Sequence, residues 1–341
     1  MIVALHVGPV NRFLLRAAAR FYIYRDEPDR ALYLLNNHHG HLSDPWVLSA
    51  EIATSNFTDR TSKHIRRGRK MIEDRSIGPW HISELASAIS AVELRSGRIR
   101  QARKMMAVAL EQPTENSLAQ AEWSSSHGLA LPAEAERADL LEAPTGYEAR
   151  ALYFASTGDY EKAVTNGMMW LADQPFALDP AIFTSYTAAV LAGDDSRAAE
   201  AASAGLRAYP HAEILLNNYA FACARSGRLA EAEAALDRIR STEPSDTSSA
   251  ISIATRGLLL FKLGQINRGR DYYQRAISAL LAFRQNEAAA LAALYWAEEE
   301  LLVGQADEVD KAMSRAGDLA KKAATAAVKA RSARLLATRS R

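Results

Sequence analysis

The sequence predicts an all-α chain assembled from one helix pair repeated along its length, and three observations carry that prediction. The first is composition: 66 of the 341 residues are alanine, the strongest helix former and a poor strand former. The second is a period. Glycines 158, 193, 227, 264 and 304 follow one another at intervals of 35, 34, 37 and 40 residues, which marks stacked supersecondary units. The third is that these glycines separate stretches of helical apolar spacing. Leu215, Leu216, Tyr219, Ala220 and Cys223 precede Gly227, and Ala232, Ala235, Leu236 and Ile239 follow it.

Taken in order, residues 1–11 form an N-terminal segment and residues 12–114 hold the first repeats. In Arg12 to Ser43, Ala19, Tyr22, Ala31 and Leu35 keep the pattern, with Asp26-Glu27-Pro28 in place of a glycine turn. Ser43 to Asp74 keeps Trp46, Ala50 and Ala53 and turns at Phe57-Thr58-Asp59, and the next unit turns at Gly97 with Ala102 five residues later. Residues 115–143 are a shortened, irregular repeat or bend: Leu118 to Ser125 reads as its first helix with Trp123 in the core, and Ser124 to Gly128 and Leu131-Pro132 break the pattern. Repeats resume over 144–320. Each glycine suits a left-handed helix end, the proline at 175, 210 or 244 closes a second helix, and Ala163, Ala198, Ala232 and Gly269 are small because two helices must approach there. Residues 321–341, with Lys321, Lys322, Lys329, Arg331 and Arg334, read as a basic capping helix or tail.

On these residues the chain resembles the tetratricopeptide repeat family. Tyr147, Ala151, Phe154, Gly158, Tyr160, Ala163 and Pro175 stand where that family's motif asks, as do Gly257, Gly264, Gly269, Tyr273 and Ala276. The resemblance implies a right-handed superhelical solenoid of about eight helix-turn-helix repeats. It further implies a non-enzymatic adaptor whose concave groove, lined by the first helices, binds a partner protein or peptide. The groove would hold Phe183, Asn217, Asn218, Phe221, Arg225 and Lys262, with Ala254 and Leu258 beside them, and Asn218 stands where many members carry an asparagine that bonds a ligand's backbone. Phe221 replaces an asparagine of the family's carboxylate clamp. Arg225 and Lys262 suit a partner with acidic groups.

Other chemistry is weakly signalled. Phosphate-loop, dinucleotide-fingerprint, zinc-protease, C-x-x-C and nucleophile-elbow motifs are absent, which argues against an enzyme, and no cofactor is expected. His38, His39 and His41 with Asp44 have the residue types of a metal site but fall in a turn where polar residues collect, so a solvated turn is expected. Cys223 falls at an inward helical position as a small core residue. Net charge is +1, distributed as +7 over residues 1–110, −14 over 111–310 and +8 over 311–341. Arg66, Arg69 and Lys70 share a helical face and, with Arg95 one repeat later, form a basic ridge of side chains expected in water. Without interleaved aromatic residues, nucleic-acid binding there is the lesser alternative. Another is a regulatory sensor array beside a separate effector enzyme. No apolar stretch is long enough to cross a bilayer and no signal-peptide pattern opens the chain, so a cytoplasmic protein is expected.

Overall fold

A computed structural model describes residues 11–37, 43–74, 77–130, 143, 145–240, 243–303 and 305–339. Among these there are eighteen α-helices, one π-helical segment and no strand. No described helix is long and apolar enough to cross a membrane. The chain divides into two compact units, Met1–Thr157 and Gly158–Arg341, a division C-terminal to the 115–143 stretch.

Unit 1 contains α1 (Arg12–Tyr24), α2 (Pro28–Asn37), α3 (Pro45–Phe57), α4 (Ile65–Glu73), α5 (Pro79–Arg95), α6 (Ile99–Ala109), α7 (Glu115–Ser126) and α8 (Tyr147–Thr157). Several helix starts have a local cause. The Asn11 side chain accepts from the Leu14 amide at 3.0 Å, and Asp44 caps α3 by accepting from the Trp46 amide at 2.8 Å, ahead of Pro45 in the first turn. Thr114 and Ser117 form a reciprocal capping box on α7. The turns without glycine follow the same geometry: Asp26 and Asp59 both adopt φ of 58°, a left-handed conformation that aspartate tolerates better than most side chains. Trp123 departs from expectation. It is 43% exposed and stacks at 4.0 Å on His127, the residue that follows the end of α7 at Ser126. His38, His39 and His41 lie outside the described residues, as does Ala133 to Leu141.

Unit 2 contains α9 (Tyr160–Asp173), α10 (Asp179–Tyr186) running into a π-helical turn (Thr187–Ala192), α11 (Asp195–Ala208), α12 (Glu213–Arg225), α13 (Leu229–Asp237), α14 (Thr247–Lys262), α15 (Ile266–Ala282), α16 (Asn286–Val303), α17 (Ala306–Lys322) and α18 (Ala326–Arg339). The turn glycines behave as their spacing predicts: Gly158, Gly193, Gly227 and Gly264 all have φ between 75° and 85°. Where an aspartate follows the glycine it caps the next helix, as Asp194 does by accepting from the Arg197 amide at 2.9 Å. The small residues five positions after the glycine are fully buried at Ala163, Ala198 and Ala232. At Gly269 a Cβ would lie 2.5 Å from the Phe261 ring and 3.1 Å from the Gly257 carbonyl oxygen, so α14 and α15 meet backbone to backbone.

The packing order of unit 2 positions the site. α10, α12, α14 and α16 each touch their own following helix, and each of the first three also touches the next of that set, so the first helices of successive pairs lie side by side. One apolar core runs from the π-helical turn through α12, α14 and α16 and includes the buried Cys223. The C-terminal α18 breaks the order. It lies against α16 and the π-helical turn far more than against its predecessor α17, burying Ala327, Val328, Arg331 and Leu335. It therefore folds back toward the beginning of the unit.

Candidate functional site

The first helices of unit 2 enclose a cavity of about 400 Å³. Ile182, Ser185 and Tyr186 of α10 form one wall, Ile214, Asn217, Asn218 and Phe221 of α12 the next, Ile251 and Ala254 of α14 the third, and Ala288, Leu291 and Tyr295 of α16 the last. The surface is apolar side chains punctuated by a few amides and hydroxyls, the usual make-up of a binding site. Asn218 donates to Ser185 Oγ at 2.9 Å, tying α12 to α10. The adjacent Asn217 is nine-tenths buried, and its Oδ1 has no hydrogen-bond partner among the described residues. The Tyr295 hydroxyl is likewise buried without a partner. Orphaned polar atoms are costly in a low-dielectric interior; both belong to residues that line the cavity, although neither atom is itself open to solvent. The Phe221 and Tyr295 rings meet edge to face at 4.9 Å.

Three consecutive carboxylates of α16 hold the cations around this cavity. Arg225 donates to Asp195 at 3.0 Å and to Glu298 at 2.7 Å, and its guanidinium lies 5.3 Å from the centre of the Tyr295 ring. The buried Arg331 of α18 also pairs with Glu298 and stacks 4.1 Å above Tyr295. Lys262 pairs with Glu299 at 2.9 Å. Arg270 forms a two-point contact with Glu300, at 2.7 and 2.8 Å. Burial opposes the charge on Glu298, yet the two guanidiniums outweigh it and hold the carboxyl at about 2. Asp195 and Glu299 go the other way, because for them burial outweighs the attraction of Arg225 and Lys262.

The sequence-predicted groove residues therefore separate into two groups. Asn217, Asn218, Phe221 and Ala254 line the cavity. Phe183 packs on Trp170 of α9 with ring centres 5.9 Å apart and is not part of the lining. Arg225 and Lys262 are spent on Asp195, Glu298 and Glu299. The acidic character expected of a partner rested on those two cations, whereas the charged residues that line the cavity are Glu213 and Glu287. Sequence reasoning missed Ile182, Tyr186, Ile251, Leu291 and Tyr295. The signal was there: at the 37-residue step that relates Asn217 to Ala254 and Arg225 to Lys262, the next positions are Leu291 and Glu299, inside the run Glu298-Glu299-Glu300.

The basic ridge of unit 1 is also partly spent. Arg69 and Arg98 both pair with Glu93, whose side chain is fully buried, and burial opposes that charge while the two arginines bring the carboxyl below its usual value. Arg95 pairs with Asp59 and donates to the Asn56 carbonyl. Arg66, Arg69, Lys70 and Arg95 are all exposed as expected, though Arg69 reaches from solvent to a carboxylate that has none of its own. A separate cleft in unit 1 is walled by Phe13, Trp46, Trp80 and Glu84, with Arg16 over the Trp46 ring and paired to Glu84. Among the described residues no group of three or more His, Cys, Asp or Glu side chains is placed to hold a metal ion.

No family model matches the sequence, and a search of curated proteins finds no match.

Proposed function

We propose that this chain is a non-enzymatic adaptor of the tetratricopeptide type, its helix pairs continuing as a right-handed superhelix, and that the unit 2 cavity receives a segment of a partner protein. The supporting observation is that equivalent positions of α10, α12, α14 and α16 face one predominantly apolar cavity. A peptide segment supplies what such a wall accepts: apolar side chains for Ile214, Ile251 and Leu291, and backbone N–H and C=O groups for the amides and hydroxyls among them.

The test is occlusion from the wall. Ala254 and Ala288 line the cavity and are partly exposed, so Ala254→Trp or Ala288→Trp fills it without opening the core. A partner purified on the wild-type chain should lose affinity by about 2 kcal/mol or more for either variant, with unfolding unchanged. Equal affinity for wild type and both variants would move binding off this cavity.

A further inference from the structure

The chemistry of the walls narrows what the cavity accepts, and the C-terminal helix supplies the pattern. Of the residues lining the cavity, two are charged, and both are acids: Glu213 at the start of α12 and Glu287 at the start of α16. Tyr186 leans toward Glu287, and burial together with that carboxylate raises its hydroxyl above the ordinary tyrosine value. The neighbouring cations are neutralised by α16. A carboxylate-bearing ligand would therefore meet acids at the rim and find no unpaired base in the lining, whereas Lys or Arg would meet unopposed carboxylates.

Unit 2 already contains one helix of that kind. α18 carries Lys329, Arg331, Arg334 and Arg339 beside an Ala, Val and Leu face. It is seated on the other side of the residues that wall the cavity: Arg331 stacks on Tyr295 and pairs with Glu298, and Arg334 donates to the carbonyls of Val190 and Leu191, the latter at 3.1 Å. Tyr295 and Val190 are thus shared, with a basic amphipathic helix on one side and the cavity on the other.

We infer that the partner segment is a helix with an apolar face flanked by lysine or arginine, recognised as α18 is recognised in the same unit. This rests on the groove reading and replaces the acidic partner chemistry expected from Arg225 and Lys262. The apolar face covers Ile214, Ile251 and Leu291, and the flanking cations reach Glu213 and Glu287.

The test uses the full chain and two synthetic peptides of about 18 residues, roughly five helical turns, with the same Leu/Ala face. One carries lysines on the flanks of that face and its counterpart carries glutamates. By fluorescence anisotropy the lysine peptide should bind at least about tenfold more tightly, and the preference should shrink between ~50 and ~200 mM salt. Glu213→Lys with Glu287→Lys should abolish the preference, and Ala288→Trp should weaken the lysine peptide. Glu231→Lys with Glu233→Lys, on α13 away from the cavity, should leave the preference intact, which excludes a general attraction to the acidic middle of the chain. Equal binding of the two peptides, preference for the glutamate peptide, or no binding of either overturns the inference. The groove reading fails separately, when a purified partner ignores both tryptophan variants.

Discussion

Arg225→Ala separates a structural cation from a ligand contact. On sequence alone Arg225 faces a ligand, and its removal should leave folding untouched. In the structure its side chain is 17% exposed and bridges Asp195 and Glu298, so its loss strands carboxylates. Removing one partner of a buried pair costs about 3 to 5 kcal/mol. Glu298 retains Arg331, and Asp195, itself 17% exposed, keeps some contact with water, which places the cost near the lower end, at about 3 kcal/mol. For a unit of this length that is a fall of roughly 6 to 12 °C in Tm. Calorimetry should show the fall in the transition of unit 2 and leave that of unit 1 in place. Asp195→Asn in the same chain removes one stranded charge and should restore about half the loss, the non-additivity expected of groups in contact. A change below about 0.5 kcal/mol for Arg225→Ala would refute the ion-pair account and return Arg225 to the ligand.

Three further outcomes follow from the same reasoning. Arg69→Glu places a like charge beside the buried Glu93, which keeps Arg98, and with Arg69 half in solvent should cost about 1 to 2 kcal/mol in urea unfolding, while the exposed Arg66→Glu should stay within about 0.5 kcal/mol; equal effects would refute the pairing. Ala232→Glu forces a carboxylate into a fully buried site and should cost about 3 kcal/mol or more, against less than about 0.5 kcal/mol for the surface variant Glu231→Ala; similar melting would show that the helix phase is misplaced. Because the Glu298 carboxyl is held at about 2 in the folded chain, below its ordinary 4.5, its contribution is complete above pH ~4.5 and is lost as pH falls toward ~2, about 2 kcal/mol after allowing for solvent screening. The stability difference between wild type and Glu298→Gln should therefore be greatest above pH 5 and shrink on acidification, and a difference independent of pH would contradict it.

The helix pairs were legible because their causes are local. A glycine in a left-handed turn and a small residue at a helix contact each leave a mark at fixed spacing, and Gly227 and Ala232 took up the predicted roles, with Asp194 adding a cap. Asp26 and Asp59 were readable as degenerate turns for the same reason. The cavity was half legible. Asn217, Asn218, Phe221 and Ala254 fell on the wall by register alone, whereas the ion pairs of Arg225 and Lys262 were not legible, because a charged residue's partners lie across the fold. Glu298 and Glu299 lie in α16, 73 and 37 residues further along the chain, while Asp195 lies 30 residues before Arg225; of these only Glu299 falls on the repeat step. Trp123 failed for a related reason, since an apolar residue is buried only if another helix covers it. The reversal of α18 toward the π-helical turn has no local signal, because it is fixed by Arg331 and Arg334 meeting Glu298 and two carbonyl groups that the turn after α10 leaves free.

The central claim is that a partner segment enters the unit 2 cavity, and site-specific photo-cross-linking in the source organism tests it most directly. A photoreactive residue at Ile214, which lines the cavity and is 44% exposed, or at Ala254, should form an adduct with one partner protein, and mass spectrometry should map both adducts to the same segment. The same group at Glu233, exposed on α13 away from the cavity, should give no such adduct. Adducts from Glu233 with none from Ile214 or Ala254 would contradict the account and place recognition on the outer face of the helix pairs.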